Sequence, residues 1–332
     1  MDRKKSHIEL ADQQQTRRSD FDYLSLQHCA LPDFNFSAIK LNCQFLEFPL
    51  SAPIMISSMT GGTEEANRIN QHLAEAARET GIALGIGSQR ISFEGKNNQG
   101  LTQQVRHWAG QIPVFGNVGL ANLIKWQQPD CLNRLAEQVG ADAMIIHLNP
   151  MQEIFQDNGD TDWQNSFHCL RQSIEGCHLP VIIKEVGMGL SPDVALHCQK
   201  AGAAAIDVAG KGGTRFIDIE GAMAADPQRQ QAAASFADWG QSTVHLLKQY
   251  QKTPVDLPLI ASGGIRNGLD IAKCLALGAS MTSVAGRILS AARSSTTECI
   301  ATIEQLKFEL RIACWGSGSS TIKQLQEALI SE

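Results

Sequence analysis

Aromatic residues are scarce in this chain: Phe, Trp and Tyr make up 6%, and only two are Tyr. Beside 28 Gly, that scarcity fits a small-residue, turn-rich α/β protein better than a β-sandwich. Basic charge is not in excess. Lys and Arg number 28 against 34 Asp and Glu, a net charge of -6, so the overall balance gives no sign of a nucleic-acid partner. No Cys-x-x-Cys pair occurs among the nine Cys, and their number is odd. Reduced thiols in a cytosolic protein are the simplest reading. The opening MDRKKSHIELADQQQ lacks the apolar core of a signal peptide. No stretch approaches the roughly 18 apolar residues that span a membrane. A cytoplasmic protein without a membrane partner is therefore expected.

What is present is a repeat. Short aliphatic runs alternate with loops rich in Gly, Ser or Asn and with helical stretches such as 64–80 and 267–277. The strand candidates are 53–57 (PIMIS), 82–85, 113–116, 143–148 (AMIIHL), 181–185 (VIIKE), 204–208, 258–262 (PLIAS) and 282–285. Continuous apolar runs are the mark of strands covered on both faces. Eight of them separated by helices indicate a (β/α)₈ TIM barrel, with a doubly wound open sheet as the alternative. The length of 332 residues and the 43% hydrophobic content suit one such barrel with additions. Residues 1–50 form an N-terminal extension and 51–332 the barrel. An insertion, 214–253, separates strands six and seven. Its polar, Ala-rich middle reads as a loop plus helix at the barrel mouth, or as a surface insertion without function.

Barrel active sites form at the C-terminal ends of the strands, so the residues after each strand can be taken as one ring. In order, the ring holds Ser57 to Gly62, Gly87 to Arg90, Gly116 to Gly119, His147 to Glu153, Lys184 with Glu185, Gly210 to Thr214, Ser262 to Arg266, and Ala285 to Arg287. Glycine turns after strands seven and eight, each opening a helix, read as a phosphate cradle, or else as two tight turns. Lys184 at the end of strand five would face the barrel axis. Beside a flavin it would stabilise negative charge at N1; otherwise it forms an interior salt bridge with Glu185 or Asp207. Ser88, Thr60, Asn117 and Thr214 would complete the hydrogen bonds to a flavin ring and ribityl chain.

Five segments go further: RKKSHI at Arg3 to Ile8, SMTGG at Ser58 to Gly62, GSQR at Gly87 to Arg90, HLNPMQE at His147 to Glu153, and 209–214 with 263–266. In that order they resemble type II isopentenyl-diphosphate isomerases over nearly the whole chain. The resemblance implies FMN held by Ser58, Met59, Thr60, Ser88, Asn117, Lys184, Thr214, Gly263, Gly264, Ile265, Arg266, Ala285 and Gly286. It implies substrate held by Arg3, Lys4, His7, Ser88, Gln89, Arg90 and Gln152, and Mg²⁺ bound by Glu153. It further implies NADPH as reductant and a homotetramer or homooctamer. Arg215-Phe216 departs from the family's usual residues after GGT, and 315–320 is unusually rich in Gly and Ser. A lone carboxylate at Glu153 suits Mg²⁺ that keeps most of its waters and takes phosphate oxygens. An ordinary strand-end carboxylate, a solvated charge run at Arg3 and Lys4, and a core histidine at His147 are the plainer readings.

The reaction so implied shifts a double bond between isopentenyl and dimethylallyl diphosphate by a 1,3-allylic proton shift. Apart from Glu153, no carboxylate or thiol at a strand end suits that proton transfer, which leaves reduced FMN as acid and base. Gln152 and His147 would orient substrate or shuttle protons. An FMN-dependent 2-hydroxy-acid oxidase is the rival, but its His-Gly-Gly-Arg run is absent from AGKGGTR and ASGGIRNG. A non-catalytic flavin-binding barrel would need neither RKKSHI nor HLNPMQE. Changing Arg3 and Lys4 together to Ala should raise the KM for the diphosphate while FMN stays bound. Each charge-assisted hydrogen bond to phosphate is worth roughly 1.5–3 kcal/mol, so the rise should be on the order of 10²-fold. Steady-state kinetics with an unchanged KM would return the cluster to a solvated charge run.

Overall fold

The computed structural model describes residues 19–95, 98–328 and 330–331. All eight expected strands form: β1 (Ile54–Ile56), β2 (Ala83–Gly85), β3 (Val114–Gly119), β4 (Ala143–Leu148), β5 (Val181–Glu185), β6 (Ala205–Asp207), β7 (Leu259–Ser262) and β8 (Met281–Val284). They pair in parallel in chain order, and β8 returns to β1 through Thr282↔Ile54, Ser283↔Met55 and Val284↔Ile56. The sheet is a closed barrel, which removes the open-sheet alternative. Strand β3 is longer than the sequence suggests. Asn117, Val118 and Gly119 continue the ladder opposite Ile145, Ile146 and His147.

Alternation along the strands divides the core into two layers. Met55, Phe115, Ile145, Ile182, Ile260 and Met281 point inward and fill the lower half of the barrel. Ile54, Ile56, Ile146, Ile183 and Ile206 point outward into the helical layer. A hairpin from the extension, Cys43–Phe45 with Phe48–Leu50, closes the N-terminal end. Its Phe45 and Phe48 rings lie 6.5 and 6.3 Å from that of Phe115.

The extension is tied to the end of the chain. Ser25 and Leu26 pair antiparallel with Ser331 and Ile330. Cys29 N–H donates to Gly316 O at 2.7 Å and Lys40 N–H to Ser320 O at 3.0 Å. The Gly- and Ser-rich stretch at 315–320 thus has a structural role, because its tight backbone gives the extension a place to dock. The insertion holds more than a loop and one helix. Helices Phe216–Met223 and Pro227–Ser235 precede Thr243–Tyr250, the ordinary outer helix between β6 and β7. Asp226 caps the second of these, with Pro227 in its first turn. The pair docks on helix Pro150–Phe155, where Ala225 N–H donates to Asp157 and Arg229 to both Gln156 O and Asp157. Among the described residues no helix is long and apolar enough to cross a membrane.

The plugging hairpin turns through Leu46 and Glu47, both at positive φ (46° and 68°). Left-handed backbone is costly for residues with a Cβ, and two-residue hairpin turns favour Gly at such positions. Glu47 is not buried, so Glu47→Gly should stabilise the protein by about 1 kcal/mol. A urea midpoint that stays put or falls would contradict this.

Candidate active site

All eight strand ends open into one cleft of about 1260 Å³. Its wall includes Ser58, Met59, Thr60, Ser88, Arg90, Asn117, His147, Gln152, Glu153, Lys184, Thr214, Gly263, Gly264, Ile265, Arg266, Ala285 and Gly286. The sequence-derived ring is thus a spatial ring. Arg3, Lys4 and His7 lie outside the described residues; Ser19, the first described residue, stands on the cleft wall.

One expected contact is corrected, and another is held by protein partners. Gln89 is fully buried and does not line the cleft. Its Nε2 donates to Leu135 O at 2.7 Å and its Oε1 accepts from Asn117 N–H at 3.0 Å, so it braces β3 from behind instead of gripping substrate. Arg266 faces the cleft but is engaged by carboxylates. Its guanidinium donates to Asp270 at 2.8 and 3.1 Å and to Asp22 at 2.6 Å. Its backbone N–H also goes to Asp270, at 3.0 Å. That arrangement positions the loop after β7 and leaves the guanidinium no uncompensated charge for a phosphate.

The glycines of this loop have different causes. A Cβ on Gly263 would stand 1.8 Å from Gly210 O, and one on Gly264 would stand 3.0 Å from Gly212 backbone. The loops after β6 and β7 touch backbone to backbone, which only glycine permits. Gly286 has open space where a Cβ would be. It begins helix Gly286–Ser294, whose N-cap Ala285 offers no side-chain cap. Ala285, Gly286 and Arg287 line the cleft, and a helix N-terminus placed so suits an anion. Three buried hydroxyls on the wall, Ser58 Oγ, Thr60 Oγ1 and Ser283 Oγ, have no protein partner. Buried polar groups are rarely left so, and a ribityl-phosphate chain with its many oxygens fits these donors.

On the opposite wall, Asn117 Nδ2 donates to Ile86 O at 3.2 Å, which turns its Oδ1 toward His147 Nδ1 at 2.9 Å. His147 is therefore the Nδ1–H tautomer with its Nε2 lone pair available. Burial, then the charges of Lys184 and Arg90, lower its pKa from 6.5 to about 3. Helix Pro150–Phe155 brings the next group together. Asn149 Nδ2 donates to Glu153 Oε1 at 2.7 Å, and Asp160 N–H donates to Glu153 Oε2 at 2.8 Å. Gln152 Nε2 donates to Glu220 Oε1 at 2.8 Å. Glu220 is not legible in the sequence as a site residue: it arrives from the insertion, and no strand-end position marks it.

Among the described residues no group of three His, Cys, Asp or Glu could cage a metal. Glu153 with the partnerless Asn149 Oδ1 suits a hard cation that completes its shell with water and phosphate oxygens. Lys184 Nζ lies 3.2 Å from Asp207 Oδ2, so the interior salt bridge exists, yet Lys184 also lines the cleft. All nine cysteines are free.

Residues 124–332 match the family model of the FMN-dependent dehydrogenases. The isopentenyl-diphosphate delta-isomerase of Vibrio campbellii is 45% identical over 313 residues, 94% of this chain and 92% of that one. That of Cronobacter sakazakii is 41% identical over 333 residues, 99% of this chain and 96% of that one. The chain belongs to the isopentenyl-diphosphate delta-isomerase family. Its fold is also that of a solved flavoenzyme. A mandelate oxidase carrying an FMN adduct superposes with a TM-score of 0.64 at 17% identity, covering 98% of this chain and 92% of its own. The match to the FMN-dependent dehydrogenase family model over residues 124–332 supports FMN as the cofactor of this barrel.

Because the folded pKa of His147 is depressed, its neutral form dominates from pH 5 upward. Its contribution to stability is full above the unfolded value of 6.5 and is lost as pH falls from there toward 3. Nitrogen-15 spectra of the His147 ring should show a neutral Nδ1–H imidazole unchanged between pH 5 and 8. A midpoint near 6.5 would contradict the assignment.

Proposed function

We propose that this chain interconverts isopentenyl diphosphate and dimethylallyl diphosphate by a 1,3-allylic proton shift. The observation that carries the reading is the convergence of two unlike halves on one cleft. The Gly286 helix end and the orphaned hydroxyls suit FMN, while His147, Gln152 and Glu153 stand opposite on β4 and the helix after it. A flavin oxidase would need its base on the loops after β6 and β7, and those loops carry no His.

Protonation of an unactivated alkene develops tertiary-cation character, which a dry, electron-rich surface stabilises. Reduced FMN, when bound, supplies that surface and a proton-exchanging N5. The protein's residues do the rest. Lys184 would place its ammonium at the flavin edge. Glu153, with Asn149, would hold Mg²⁺ against the diphosphate. Arg90, and Arg3, Lys4 and His7 from the N-terminal segment, would bind the same diphosphate. His147, neutral with a free Nε2 lone pair, and Gln152, oriented by Glu220, would set the alkene's position and pass a proton. The free thiols support a reducing compartment, the cytoplasm, for this chemistry.

Isomerisation consumes no electrons, so NADPH should be needed only to prime the flavin. In an anaerobic incubation of protein, FMN, Mg²⁺ and isopentenyl diphosphate, dithionite should replace NADPH, and one reduction should support many turnovers. The product to follow is dimethylallyl diphosphate. Replacing FMN with 5-deaza-FMN should abolish activity while binding persists, because carbon at that position exchanges its proton slowly. Stoichiometric consumption of NADPH would point to an oxidoreductase. Full activity with oxidised FMN or the deaza analogue would move proton transfer onto His147, Gln152 and Glu153.

A further inference from the structure

Asp207 is the last residue of β6 and is fully buried inside the barrel, one strand from Lys184 and opposite it in register. A buried carboxylate needs compensation, and this one has three sources. Ser262 Oγ donates to Oδ1 at 2.5 Å and Ala209 N–H donates to the same oxygen at 3.2 Å. The Lys184 ammonium stands 3.2 Å from Oδ2. That last contact is an ion pair without hydrogen-bond alignment, since Oδ2 has no hydrogen-bond partner. The ammonium is held by charge, and its residue lines the cleft.

We propose that Asp207 is a positioning residue that sets the charge presented to the flavin. It fixes Lys184 at the flavin's edge and offsets part of the positive charge that Lys184 brings there. The inference rests on the reading of Lys184 as a flavin contact. Its physical content is electrostatic. An uncompensated ammonium beside the pyrimidine edge would favour reduced over oxidised FMN strongly, because charges in a low-dielectric interior are poorly screened. With the carboxylate 3.2 Å behind it, the pair is close to neutral and the preference for reduced FMN is held down. Ser262 adjusts the same quantity from the other side, since its hydroxyl draws negative charge off Asp207.

This arrangement makes two substitutions move one observable in opposite directions. In the FMN-loaded protein, Asp207→Asn keeps the shape and removes the negative charge. It should raise the affinity for reduced relative to oxidised FMN by about tenfold or more, an upward shift of ~30 mV in the two-electron midpoint potential. Asp207→Glu, which restores the charge, should bring the potential back toward that of the unaltered protein. Ser262→Ala should lower the potential, because the carboxylate then keeps its full charge. Spectroelectrochemical titration reads all three. An unchanged or lower potential in Asp207→Asn would overturn the proposal, as would a shift of the same sign in Asp207→Asn and Ser262→Ala. Breaking a buried pair is destabilising, so Asp207→Asn could fail to fold. Ser262→Ala then decides: a lower potential supports the proposal, an equal or higher one overturns it. Failure of the underlying reading looks different, for then Lys184→Ala would leave both FMN affinity and potential untouched.

Discussion

Closure of a parallel sheet is the constraint on which the rest of the molecule depends. Because all eight strands run the same way, their C-terminal ends meet at one rim, and because β8 pairs with β1 there is no edge to protect. Below the rim, Met55, Phe115, Ile145, Ile182, Ile260 and Met281 fill the barrel, and the Phe45 and Phe48 hairpin seals the far end. That packing allows the rim to remain polar and incomplete. Ser58, Thr60, Ser283 and Asn149 each leave a buried oxygen without a protein partner. Each such atom destabilises the empty fold by about 1–3 kcal/mol, an amount that a ligand returns when it supplies the missing contact.

Glycine at the rim serves two ends that sequence cannot separate. Gly263 and Gly264 exist because the loops after β6 and β7 pack backbone against backbone. Gly286 has no such neighbour, and it faces the open space of the cleft. Either way the residues read as a glycine turn before a helix. Only the positions of Gly210 and Gly212 show that the first turn is a joint between loops, while the second stands open.

The same limit decides what is legible in advance. Strands are legible because runs such as AMIIHL and VIIKE are buried on both faces and recur at a steady spacing. Asn117, Val118 and Gly119 look like a loop, and only pairing with β4 makes them strand. His147, Gln152, Glu153 and Lys184 can be placed at the cleft because strand ends face it by construction. Gln89 cannot, since neighbouring residues of one loop turn to opposite sides. The engagement of Arg266 depends partly on Asp22, which is 244 residues away in the chain. Glu220 comes from an insertion whose polar, Ala-rich composition hides two helices, and its bond to Gln152 exists only once those helices dock.

Charge at the cleft is arranged by depth, and that bears on how a chain of net charge -6 could accept a diphosphate. Deep in the barrel Lys184 is compensated by Asp207, and nearer the rim Arg266 is compensated by Asp22 and Asp270. His147 is held neutral by burial and by the cations near it. A reacting alkene is served by such a floor, because a developing cation there meets neither strong repulsion nor a competing anion free to trap it. Arg90, Lys211 and Arg287 stand on the cleft wall. A phosphate group feels the cations within a Debye length, roughly 8–10 Å, and hardly feels carboxylates on the far side of the barrel. Local arrangement therefore outweighs net charge, and the two ends of one small substrate can meet opposite electrostatic demands within a single cleft.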